Sequence, residues 1–142
     1  MSGLLAMSCL LSCGQELILE PKSITTTPFL IGKWQLVEQQ ISIGGIGNTV
    51  SIGGSAFWES VTNGSIFTLT EEGGFSDFQL FSNGCETGTY ETTKDELILN
   101  YNCEGVESFA YTLQRENKDI ILTPKTVTCI EGCAYKYRKV SN

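Results

Sequence analysis

Cysteine is the residue type with most chemistry to offer in this chain. It occurs six times, at positions 9, 13, 85, 103, 129 and 133, while histidine is absent. The last four could form disulfides, hold zinc as thiolates, or carry out redox exchange. Zinc ligands favour pairs with roughly two to four residues between them; Cys129 and Cys133 approach that spacing, whereas Cys85 and Cys103 lie far apart. Redox catalysis asks for Cys-x-x-Cys at a helix start, where the thiol pKa is lowered, and neither pair has that spacing. Structural disulfides are the expectation. The lack of histidine also removes the commonest general base and a favoured zinc ligand.

The carboxylates Glu71, Glu72, Glu86, Glu91, Asp95, Glu96, Glu104 and Glu107 are numerous. A glycosidase needs two of them facing each other across a sugar-sized gap. Most border expected turns, which makes them solvated surface. There is no Gly-x-Ser-x-Gly elbow, phosphate loop or dinucleotide fingerprint, and the glycine-rich stretch from Gly44 to Gly54 lacks a Gly-Lys-Ser/Thr ending. The chain therefore reads as non-catalytic, with no catalytic residue, cofactor or metal expected.

The elements that would position these side chains are short strands. Gly32 to Ile41 alternates, with Trp34 and Leu36 on one face. Residues 42–63 form the longest irregular stretch, a glycine-rich crossover carrying Phe57 and Trp58. Two adjacent large rings on a loop are candidate ligand or rim contacts. A meander follows over Ser65–Thr70, Phe75–Phe81, Glu86–Thr92, Glu96–Asn102, Glu107–Arg115, Asp119–Thr123 and Ala134–Val140. Turns are expected at Glu71-Glu72-Gly73-Gly74, at Asn83-Gly84 as a type I′ hairpin, and at Lys94-Asp95. Val, Ile, Thr, Tyr and Phe fill the runs, and no helical period is sustained. The strand aromatics Phe67, Phe75, Phe78, Tyr90, Tyr101, Phe109 and Tyr111 are expected core.

Counting the first strand with those seven gives eight, joined mainly to sequence neighbours. Closure into an all-β, antiparallel up-and-down barrel removes the exposed edges that a sandwich would leave. Within the hairpin turning near Lys94-Asp95, pairing 92 with 97 sets residue 86 opposite 103. Cys85 and Cys103 then fall within one residue of facing each other, and a bulge would bring them to bonding distance. Cys129 and Cys133 enclose a tight loop in which Gly132 can supply positive φ. Cys85–Cys103 and Cys129–Cys133 are the expected bridges, out of three connectivities open to four cysteines.

At 142 residues, with 41% hydrophobic and 18% charged positions, the composition suits one folded domain. Sixteen acidic against nine basic residues give a formal charge of -7, which disfavours a phosphate-rich nucleic acid as partner.

The N-terminal segment has its own character. Leu4 to Leu11 is apolar but too short to cross a bilayer, and Leu10-Leu11-Ser12-Cys13 follows within it. This resembles the lipobox of bacterial lipoproteins, in which the cysteine receives diacylglycerol and becomes the mature N-terminus; several acyl chains turn weak membrane affinity into stable anchoring. The resemblance implies a signal segment over 1–12, truncated because no Lys or Arg precedes Lys22,. It further implies a lipidated tether over 13–29 starting at Cys13, and a domain over 30–142. Cys9 is the weaker candidate for acylation. Removing Cys9 and acylating Cys13 leaves an even number of thiols in an exported chain, as disulfide pairing requires.

The order of several motifs is similar to that of lipocalin-like (calycin) domains in lipoproteins of Bacteroidetes-type bacteria. Those motifs are Leu30-Ile31-Gly32-Lys33-Trp34-Gln35-Leu36, the Trp58–Gly64 segment, Gly73-Gly74-Phe75 and Tyr135-Lys136-Tyr137-Arg138-Lys139-Val140. The resemblance implies that Trp34 sits at the closed end of the barrel, where Arg138 packs on the indole and contributes cation–π attraction. It also implies a cell-envelope lipoprotein of the outer membrane, its membrane face open. The partners expected are the membrane through the anchor and a small apolar ligand in the barrel. The alternative is a structural or protein-interaction module of an envelope assembly.

Overall fold

A computed structural model describes residues 27–42, 56–80, 84–125 and 133–141. A short 3-10 helix, η1 (Pro28–Leu30), precedes nine strands: β1 (Gly32–Ser42), β2 (Ala56–Ser60), β3 (Ile66–Leu69), β4 (Gly74–Ser76), β5 (Gly88–Thr92), β6 (Glu96–Tyr101), β7 (Phe109–Glu116), β8 (Asp119–Pro124) and β9 (Tyr135–Ser141). From β3 to β9 each strand pairs antiparallel with the next, and β9 returns to β1. The result is a closed eight-stranded antiparallel barrel, in agreement with the all-β expectation.

The additional strand corrects the expectation that residues 42–63 are irregular throughout. Ala56–Ser60 pairs with the second half of β1, Glu38 opposite Ser60, while the first half of β1 pairs with β3, Trp34 opposite Phe67. β9 occupies the other edge of β1, so β2 and β3 together fill one barrel position, interrupted at residues 61–65. Asn63 takes φ 55 in the interruption, and Gly64 lies so close to the backbone oxygen of Leu36 that a Cβ there would overlap it. The glycines around Phe57-Trp58 mask this strand, because the local composition signals loop before it signals pairing.

The other strands follow their alternation. On β8 Ile120, Leu122 and Pro124 are buried and the residues between them are not; on β6 Leu97 and Leu99 point inward. Thr92 opposes Leu97 in the β5–β6 hairpin, the register expected from the turn at Lys94-Asp95. A second correction concerns β4, which stops at Ser76 because Asp77 adopts φ 61. Among the described residues β4 pairs with β5 only at Gly74 opposite Thr89 and Phe75 opposite Gly88. Gly84 has the anticipated positive φ of 87, but Asn83 is outside the described residues and a two-residue hairpin does not connect β4 to β5.

The two ends of the barrel differ. At the Trp34 end the strands turn tightly, over residues 70–73, 93–95 and 117–118; at the other, longer-loop end β1, β4, β6 and β8 finish and β2, β5, β7 and β9 begin, with more residues of sequence between them. Cys85 and Cys103 are bonded across that longer-loop end, with Cα atoms 6.0 Å apart. Cys133 is also disulfide-bonded; its expected partner Cys129 lies outside the described residues, as do Cys9 and Cys13.

Candidate binding sites at the two ends of the barrel

Most of the interior is side chain. Trp34, Phe67, Phe78, Tyr90, Tyr111, Tyr137, Leu97, Leu99, Ile120 and Leu122 are all shielded from solvent. Phe78 is the hub: its ring meets Phe67 at 4.9 Å, Tyr111 at 5.6 Å and Phe75 at 6.3 Å, each edge-on. Edge-to-face contacts of this kind add to the attraction from burial. Alternation predicts Phe78 on a strand. It stands instead on the β4–β5 connection, which turns inward after Asp77 and uses this ring to fill the barrel.

Toward the longer-loop end the packing becomes partial and more polar. Tyr101, Phe109, Tyr135 and Leu80 are half-buried against the core, and the electrostatic influence of Tyr101, Tyr135 and Tyr137 reaches Tyr111. Desolvation dominates here, pushing the Tyr101 phenol up to about 12. It raises Tyr111 and Tyr137 further, with their neighbouring phenols adding to the effect. Tyr101 donates to the Leu80 carbonyl at 3.4 Å, whereas the fully buried Tyr111 hydroxyl has no hydrogen-bond partner among the described residues. Buried hydroxyls are rarely left so. No period or motif marks this group in the sequence, because its members come from β6, β7 and β9.

At the opposite end, η1 lies across the barrel. Leu30 is fully buried there, and the Trp34 indole N–H donates to the Leu30 carbonyl at 2.7 Å. Trp34 thus occupies the closed end as expected, but its basic neighbour is Lys139, with Nζ 5.7 Å from the ring centroid. Arg138 does not stack on it. The register sets Trp34 opposite Lys139 and Gln35 opposite Arg138, and cross-strand partners share a face. Arg138 turns outward and forks onto Asp119, with Nε and Nη2 at 3.1 and 2.9 Å from its two oxygens.

A cleft of about 310 Å³ opens beside this plug, lined by Phe29, Trp34, Arg115, Lys118, Arg138 and Lys139. Arg115 stacks over Phe29 at 4.6 Å, and Lys139 donates to the Phe29 carbonyl at 3.0 Å. Of these cations only Arg138 has an expected role from the sequence. The others converge only because the β7–β8 turn, β9 and η1 meet here.

Phe57 and Trp58 lie on β2, both exposed. Trp58 faces outward, under the ammonium of Lys136 at 4.8 Å. That ammonium also contacts Glu38 and Glu116, each at 2.8 Å. The hydrogen bonds to Glu116 and then Glu38 raise the Lys136 pKa; one cation against two carboxylates leaves this surface cluster with a net negative charge. Phe57 opposes Ile41 at the longer-loop end. Among the described residues, no three Cys, Asp or Glu side chains gather as metal donors.

No protein-family model matches the chain, and no curated protein matches it in sequence. The likeness to lipocalin-like folds rests on the closed barrel itself.

Proposed function

We propose that this protein is a non-catalytic lipoprotein of a bacterial cell envelope. Its barrel binds a small, largely apolar molecule carrying one hydrogen-bond acceptor, at the longer-loop end. The observation that carries the reading is the Tyr111 hydroxyl, buried and without a hydrogen-bond partner among the described residues, beside Tyr101, Tyr135 and Tyr137. A single donor set among mostly aromatic side chains suits such a ligand. Phe78 packs against the Tyr111 ring at 5.6 Å, Tyr101 and Phe109 are half-buried against the same core, and the ligand enters by displacing these half-buried side chains.

The address is supported by two independent features. One is the Leu10-Leu11-Ser12-Cys13 sequence, with acylation at Cys13. The other is the Cys85–Cys103 disulfide, which belongs to an oxidising compartment. A second reading, a protein-interaction module of an envelope assembly, draws on the filled core, since a packed barrel leaves its surface for recognition.

Native mass spectrometry of full-length protein purified without detergent separates the two. A non-covalent adduct that disappears in Tyr111→Phe supports the ligand; a ligand-free barrel that also refuses added fatty acids overturns it. Radiolabelled-lipid incorporation tests the anchor, with loss expected in Cys13→Ser and retention in Cys9→Ser.

A further inference from the structure

The cleft at the Trp34 end has no place in that reading, and its composition is opposite to that of the whole protein. The chain has a formal charge of -7 and only nine basic residues. Four of them, Arg115, Lys118, Arg138 and Lys139, line this one cleft. Three are held in position by neighbours: Arg115 by the Phe29 ring and the Asn117 carbonyl, Arg138 by Asp119, and Lys139 by the Phe29 carbonyl. Lys118 has no carboxylate partner among the described residues.

These contacts leave donors unused. A lysine has three N–H groups and an arginine five; Lys139 spends one on Phe29, and Arg115 directs only Nε at Asn117. Asp119 neutralises one cation, and Glu116, on the same turn, is drawn to Lys136. Net positive charge remains in the cleft, over an apolar floor of Phe29 and Trp34. Arginine and lysine donors above aromatic rings suit a phosphate ester whose organic part lies against the rings. The acids of the same barrel end, Glu71, Glu72 and Asp95, stand on the β3–β4 and β5–β6 turns. η1 begins beside that acidic half, where Thr27 meets Thr92 at 3.2 Å.

We infer that this cleft binds the phosphate-bearing headgroup of an anionic phospholipid in the membrane to which the protein is tethered. The inference rests on the anchored reading for the source of the phosphate, though not for the chemistry of the cleft. The chain enters the barrel through η1, and Phe29 of η1 forms one wall. An acylated Cys13 is separated from Thr27 by a segment that reaches at most about 50 Å. That length is enough to bring the cleft, at the end where the chain enters the barrel, onto the bilayer surface. Each basic side chain at an anionic surface strengthens binding about 5-fold.

The test uses the full-length chain with Cys13→Ser, which has no anchor, so a failed acylation experiment leaves it unaffected. Flotation with phosphatidylcholine vesicles, with and without phosphatidylglycerol, is expected to show association only when phosphatidylglycerol is present. Lys118→Glu should weaken that association on the order of 30-fold. Lys94→Glu makes the same charge change on the acidic half and should weaken it far less. Equal losses in the two variants would show diffuse charge attraction and overturn the cleft. Soluble glycerol 3-phosphate, followed by the Trp34 indole N–H resonance, identifies the source. Saturation by this probe without vesicle association would assign the cleft to a free phosphate ester and overturn the membrane headgroup. Absence of both responses would overturn the inference entirely.

Discussion

Tyr111 and Tyr90 form a natural experiment in buried phenols. Both rings are essentially inaccessible to solvent. Tyr90 donates to the Thr70 carbonyl at 2.7 Å, whereas the Tyr111 hydroxyl has no partner among the described residues. Replacing Tyr90 with Phe removes one good hydrogen bond and leaves the Thr70 carbonyl only its bond from the Gly73 N–H, at a cost of about 1 kcal/mol,. Replacing Tyr111 with Phe keeps the ring against Phe78 and deletes a group whose burial without a partner costs roughly 1–3 kcal/mol. The ligand-free protein should therefore gain about 1 kcal/mol, a contrast of ~2 kcal/mol between two chemically identical substitutions. With a urea slope of about 2 kcal/mol/M, the two unfolding midpoints should separate by roughly 1 M at unchanged slope. Urea titration of ligand-free protein, followed by far-UV circular dichroism, measures this directly. If Tyr111→Phe destabilises as much as Tyr90→Phe, the hydroxyl is satisfied in solution, and the case for a donor awaiting a ligand collapses.

Three further outcomes follow from the geometry. Gly64→Ala places a methyl on the Leu36 backbone oxygen; overpacking against an immovable carbonyl should cost about 3 kcal/mol or more, read as a lowered thermal midpoint, and a neutral effect would mean the β2–β3 interruption is not tightly pinned. Cys103→Ser opens a loop with sequence separation 18 and should cost about 3 kcal/mol in chemical denaturation. All five tyrosines have raised pKa values, principally through burial. The folded state then holds protons that the unfolded state releases above pH ~10, so stability is intact below that value and falls as pH rises toward the folded pKa values, Tyr101 reaching about 12,. Absorbance at alkaline pH should show the phenols ionising together with unfolding; independent titration near pH ~10 would contradict the burial.

What the sequence determined by itself was the alternation of the regular strands, and with it the face their residues take. Alternation is a local property, so Leu97 and Leu99, or Ile120 and Leu122, declare their common face without help from the rest of the chain,. The β5–β6 turn likewise determined its own register, and with it the nearness of Cys85 to Cys103. Tertiary structure decided everything that depends on bulges and closure. Register shifts along the β1–β9 pairing put Lys139, and not Arg138, beside Trp34, and one residue of offset exchanges the faces of a strand. Phe78 became the interior plug because Asp77 ended β4, and β2 formed because β1 was long enough to take a second partner. The tyrosine group and the cationic cleft each gather side chains from distant segments, whose proximity no local pattern encodes. Their positions are set by how the closed sheet is sheared and filled.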